Sequence, residues 1–262
     1  MSSYLWVAST VTAVVACVSA WFGLNLQPFT LNTFSLQRQF AITTAPKAPT
    51  TGPFTFYKLS LQWPAAACNS GRMTCKQPIP KKFTIHGIWP QDSNDDPVPA
   101  YGPTNPCTTV RPTPASNLPT ELNPILSDLQ SLWPNLKDPQ NLNQNFIFWA
   151  HEWTKHGMCS DYPNDPHDYF NSAVLLRNGF DPDMGLTPGS NYTVQQVAAA
   201  VQTAVGAYPE IACNRDKVTK TLQLWEIRLC YKRAMPPQTV QNCPKSFSGQ
   251  CRSLTDNIYF PN

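Results

Sequence analysis

FWAHEWTKHG, residues 148–157, is the most informative stretch of this 262-residue chain. Placed on a helix at about 100° per residue, His151, Glu152, Lys155 and His156 fall near roughly 0°, 100°, 40° and 140°. The four polar groups share one broad face, and Trp149 and Trp153 form an i,i+4 pair along its edge. Two histidines, an acid and a lysine on one face can supply proton acceptor, proton donor and charge stabiliser together. The zinc-protease spacing HExxH does not apply. The residue four steps after His151 is Lys155, a cation that would repel the metal. His151 and His156 are five apart and splay by about 140° on a helix, so they cannot easily share an ion. Neither a metal nor a cofactor is expected.

Working outward, the other unusual segment is FTIHGIWP at 83–90, which holds His86. Residues 82–89 read as a strand closed by Pro90, and 54–63 (FTFYKLSLQW) as a strand ended by Pro64. Residues 91–119 are rich in turn formers and read as one long surface loop. Helical spacing of Leu122, Ile125, Leu126 and Leu129 predicts a helix over 121–132. A second is expected over 146–157, stopped by Gly157, and two more over 166–179 and 193–207. Residues 222–229 alternate as a strand of an antiparallel pair, with a phase slip at Leu224-Trp225 that reads as a bulge. Strands and helices mix without strict βαβ alternation, so the fold class is α+β, an antiparallel sheet packed with several helices.

Composition narrows the partners. The net charge is +3, yet residues 1–53 hold only Arg38 and Lys47 and no acid. From residue 54 onward 17 of the 19 basic residues face all 16 acidic ones, a balance of +1. A strongly basic nucleic-acid coat is excluded. Lys58, Arg72, Lys76, Lys81 and Lys82 nevertheless cluster over 58–82 without an acid. Lying beside His86, such a segment would guide a phosphate backbone inward.

Residues 5–24 are apolar or small throughout, and Val18-Ser19-Ala20 offers small residues for cleavage, so 1–20 reads as a secretory signal. Residues 21–53 form a lead-in whose last part, AITTAPKAPTTGP, has no apolar period. Cys17 lies in the signal. Cys68, Cys75, Cys107, Cys159, Cys213, Cys230, Cys243 and Cys251 remain, and eight cysteines in an exported chain imply a disulfide framework. No pair has the CxxC spacing of a zinc site. Asn191-Tyr192-Thr193 is a glycosylation sequon, and Thr193 with Gln196 also makes a helix-capping box.

FTIHGIWP and FWAHEWTKHG together resemble the two active-site signatures of the ribonuclease T2 family, especially its plant members. The first matches with Ile88 in place of the common Leu, and the second matches throughout. The resemblance extends through Leu61-Gln62-Trp63-Pro64 and the eight-cysteine layout, and so covers a catalytic domain over 54–262. It implies an endoribonuclease in which His156 is the general base and His86 the general acid. Glu152 and Lys155 would steady the pentacoordinate phosphorane, and His151 would hold the phosphate. Trp89 and Phe148 resemble base-stacking positions, and Gln62 and Asn135 resemble base contacts. The implied bridges are Cys68–Cys75, Cys107–Cys159, Cys213–Cys251 and Cys230–Cys243. The implied substrate is single-stranded RNA, not DNA. The protein would be a monomer, secreted or vacuolar, with no stable membrane association after signal cleavage. The family also includes self-incompatibility ribonucleases with a pollen partner. Those are often basic, and the +1 balance leans against that role. A non-catalytic storage or binding protein on the same scaffold would be expected to lack His86 or His156, and both are present.

Overall fold

A computed structural model describes residues 54–262 apart from 103, 105 and 182. The expected signal and lead-in lie outside the described residues. The strands are β1 (Phe56–Gln62), β2 (Thr84–Gln91), β3 (Asn191–Thr193), β4 (Glu210–Arg215), β5 (Leu222–Lys232), β6 (Val240–Gln241), β7 (Phe247–Gly249) and β8 (Asn257–Tyr259). The helices are α1 (Pro64–Asn69), α2 (Leu118–Glu121), α3 (Leu126–Leu132), α4 (Leu142–Lys155), α5 (Pro166–Asn178) and α6 (Val194–Val205). The fold is α+β. The main path of the sheet runs β2-β1-β5-β4-β7. Its first four strands are antiparallel neighbours, and β7 joins β4 in parallel.

Alternation along these strands separates two faces. Leu59 and Leu61 lie opposite Ile88 and Ile85 on β2 and Leu229 and Ile227 on β5, and all six are buried in the apolar core. The opposite face carries Lys58, Ser60 and Gln62 of β1, Gly87 and Trp89 of β2, and Glu226 and Arg228 of β5. A polar stripe on the central strands needs a reason, because burying such groups unpaired is costly. Trp89 and Arg228 of that stripe line an open cleft.

β2 is an edge of this path, and its outer carbonyls need donors. Successive outer oxygens are met from three different segments: His86 O accepts from Trp133 Nε1 at 2.9 Å, Ile88 O from the Tyr169 hydroxyl at 2.7 Å, and Pro90 O from Val98 N at 3.1 Å. Trp149 Nε1 in turn donates to Trp133 O at 2.8 Å, so the tryptophans couple α4 to the edge strand. β2 also runs through Pro90 to Gln91, past its expected end. Proline lacks an N–H for a second neighbour, and an edge strand tolerates that.

Other boundaries differ too. The helix expected over 121–132 breaks into α2, a 3-10 turn at Asn123–Ile125 and α3, because Pro124 removes a backbone donor and crowds the preceding turn. α4 starts four residues before its expected beginning, since the Asn141 side chain caps the amides of Asn143 and Gln144. It ends at Lys155, and His156 leaves the helical region with φ −130° and ψ −47°. The slip at Leu224-Trp225 is a bulge: Cys213 faces Leu224 and Ala212 faces Glu226.

Among the described residues the disulfides join Cys68 to Cys75, Cys107 to Cys159, Cys213 to Cys251, and Cys230 to Cys243. The second ties the irregular segment before α2 to the turn that directly follows α4. No helix among the described residues is long and apolar enough to cross a membrane.

Candidate active site

His86 reaches the polar face through an irregularity in β2. Ser60 faces Gly87 and Leu61 faces Ile85, so His86 is the extra residue of a bulge. The bulge lets Ile85 and Ile88, three residues apart, both face the apolar core while His86 and Gly87 lie on the polar face between them. On the polar face its Nδ1 lies 2.7 Å from Glu226 Oε1. Gly87 follows it for a steric reason. A Cβ at that position would overlap both the Glu152 carboxylate and the Trp89 indole nitrogen.

α4 supplies the facing groups. Glu152 is 3% exposed and accepts from Trp89 Nε1 at 3.1 Å. His156, 5% exposed, sits just past the helix end with its backbone N–H bonded to Glu152 O at 2.9 Å. Departure from helical geometry, rather than a place on the helical face, sets where its ring points. The Trp89 ring contacts both histidines, with centroids 5.3 Å from His86 and 5.5 Å from His156. His86, Trp89, Phe148, His151, Glu152, Lys155, His156 and Arg228 line one open cleft of about 470 Å³, with Pro97 at its edge. His151 and Lys155 are its exposed polar members.

His156, which is buried, and His86, which is half-buried, have opposite protonation preferences. Burial pushes His156 down, and the charges of Lys155, His86 and His151 push the same way, to about 3. Its Nδ1 is buried without a hydrogen-bond partner, so nothing there compensates a charged ring. Burial also disfavours charge on His86, but the charge and hydrogen bond of Glu226 outweigh it and raise this imidazole above its ordinary value. Burial lifts the Glu152 carboxyl above the usual range against the pull of His86, Trp89, His151 and Lys155. One cleft therefore presents a neutral imidazole and a protonated one at the same pH, the complement needed for paired proton transfer.

The profile of the Ribonuclease T2 family matches residues 54–243. The chain belongs to this family. It is 30% identical over 217 residues to Ribonuclease 3 of Arabidopsis thaliana, covering 79% of this chain and 90% of that one. Against Ribonuclease S-7 of Nicotiana alata the identity is 31% over 227 residues, covering 82% and 92%. Among solved structures, ribonuclease MC1 from bitter gourd seeds superposes with a TM-score of 0.63 at 28% identity, over 79% of this chain and all of that one.

Within this T2 domain the four residues expected at the bases divide. Gln62, Asn135 and Phe148 line a second cleft of about 350 Å³, together with Met73, Leu136, Lys137 and Ile147. His86 and His151 border it as well as the first cleft. The Asn135 amide is fixed internally, donating to Gln144 O at 2.8 Å and accepting from Lys137 N at 3.0 Å. Trp89 lies only in the first cleft, with its N–H committed to Glu152.

Lys58 does not join a basic RNA-guiding segment. It is 3% exposed, and its Nζ lies 2.5 Å from both Asp95 and Glu210. The reason is that β1 is buried along its whole length, so its lysine must be paired inside. Lys76 is spent partly on Asp138, at 3.1 Å. Sequence reasoning missed Glu226 and Arg228, which complete the wall behind His86. Their signal was present: two charges at i,i+2 inside the largely apolar run LQLWEIRLC.

Gly87→Ala is expected to displace the Glu152 carboxylate and the Trp89 indole together. Overpacking of this kind costs about 1–3 kcal/mol. The variant should lose up to about 10²-fold in kcat/KM, the scale for a misplacement of about 1 Å, while far-UV circular dichroism stays native. Full activity would show that Glu152 needs no fixed position.

Proposed function

We propose that this chain is an endoribonuclease that cuts single-stranded RNA by attack of the ribose 2′-OH on the adjacent phosphorus, leaving a 2′,3′-cyclic phosphate. The observation that carries the reading is the convergence of His156 and His86 on one cleft, on either side of Trp89, with burial disfavouring charge on His156 and Glu226 favouring it on His86. His156 takes the 2′-OH proton as the O–P bond forms, and His86 gives its proton to the departing 5′-oxygen as that P–O bond breaks. Lys155 offsets the extra negative charge of the phosphorane, Glu152 steadies it within the buried wall, and His151 on the rim holds the phosphate. The chain's own side chains supply acid, base and charge, so no step calls for a metal. DNA lacks the nucleophile and should be inert. The second cleft, with Gln62, Asn135 and Phe148, is where a base would rest.

The four bridges support an oxidising destination, secreted or vacuolar. Residues 1–20 would direct export and be removed, residues 21–53 would precede the catalytic domain, and Asn191, which is exposed, is open to glycosylation. The test is cleavage of single-stranded RNA in EDTA, with cyclic-phosphate termini identified by mass spectrometry and DNA left whole. Loss of cleavage with chelator, or linear 3′-phosphates as first products, would overturn the mechanism.

A further inference from the structure

The mechanism leaves a largely buried row of ions beside His86 without a task. Asp95, Lys58, Glu210, Arg228 and Glu226 follow one another with alternating sign. Lys58 Nζ is 2.5 Å from both Asp95 and Glu210; Arg228 lies 2.6 Å from Glu210 and 2.7 Å from Glu226. Glu226 is fully buried and closes the row on His86 Nδ1 at 2.7 Å. Three carboxylates face two cations, so one negative charge is unbalanced until His86 is protonated. Leaving a buried charge uncompensated is far more costly than any single exposed pair is worth.

We propose that Glu226 is the positioning residue of His86, fixing which ring nitrogen faces the cleft, with the ion row behind it balanced electrically when that ring carries its proton. With Nδ1–H held by Glu226, Nε2 is the nitrogen that presents a proton to the leaving oxygen. Arg228 acts through Glu226. Its Nε and one terminal nitrogen donate to Glu226 Oε2 at 2.9 and 2.7 Å, and the other terminal nitrogen reaches Glu210 and Ser248. It holds the carboxylate ionised, at about 2 despite burial, and as a cation it also opposes the charge on His86. The other polar groups sharing the clefts with His86 are His151, Glu152, Lys155 and His156 from α4 and the turn after it, Lys137 and Asn135 from the segment before α4, and Gln62 of β1.

This inference rests on the acid role of His86. Two measurements test it. Nitrogen-15 NMR of the wild-type imidazoles should find neutral His86 protonated at Nδ1 and titrating above about 6.5. In kcat/KM profiles on a dinucleoside phosphate, Glu226→Gln should move the alkaline limb down by about one pH unit or more, whereas Arg228→Gln should move it up. Opposite shifts from two residues in contact would not follow from a merely structural role. An Nε2–H tautomer in the wild type would overturn the proposal, even should a variant fail to fold. So would a folded Glu226→Gln with an unmoved limb. An active His86→Ala would instead sink the acid role itself, which separates the two failures.

Discussion

His156→Ala and His86→Ala are each expected to cut kcat/KM on RNA by about 10² or more, the usual scale for a positioned acid or base. The two losses should differ in kind. A nucleoside 3′-(aryl phosphate) has a leaving group that departs without a proton, so on this substrate His86→Ala should recover most of its rate. His156→Ala should not, because the 2′-OH still has to lose its proton. Equal recovery, or recovery by His156→Ala alone, would exchange or abolish the two roles. The geometry sharpens the expectation. His156 is almost wholly buried, with no hydrogen bond at Nδ1, and burial biases it towards the neutral form. His151 is exposed on the rim and cannot replace it without a rearrangement of α4.

Much of this site was legible in the chain, and the failures have physical causes. The α+β class followed from apolar periodicities, which report burial directly. The slip at Leu224-Trp225 was readable because two large apolar residues are adjacent in a strand of period two. The same signal stood in FTIHGIWP, where Phe83 and Ile85 keep phase but Ile88 falls one step off it. That slip is the bulge that leaves His86 and Gly87 together on the polar face, and glycine at position 87 obscured it by adding no side chain. The end of α4 was harder. Gly157 invited the helix to run through His156, whereas the chain leaves helical geometry one residue earlier. Charge partners across long separations were beyond any local reading. Lys58 looked like an RNA contact because its acids, Asp95 and Glu210, arrive only when the loop after β2 folds back and β4 joins the sheet on the far side of β5. Glu226 likewise acquires its meaning from His86, 140 residues away.

The pH dependence gives the second large effect. Activity requires His156 without a proton and His86 with one. His156 is held down to about 3, so it is a free base through the acidic range. His86 is raised above the ordinary histidine value of about 6.5. The rate should therefore stay high across mildly acidic pH and fall about tenfold per unit once His86 deprotonates. Stability carries its own signs. The folded His156 resists a proton that the unfolded chain accepts, so its contribution is present above about 6.5 and is lost as pH falls towards about 3. Glu226 adds a loss below the ordinary carboxylate range, as pH falls towards about 2. His86 acts oppositely: its contribution is present below about 6.5 and is lost as pH rises through its raised value. On the acid side, declining activity should then track a falling Tm, while on the alkaline side activity should fall in step with the titration of one imidazole. Following that imidazole by NMR in the same samples decides the matter. A rate that keeps rising while His86 loses its proton would remove it as the acid.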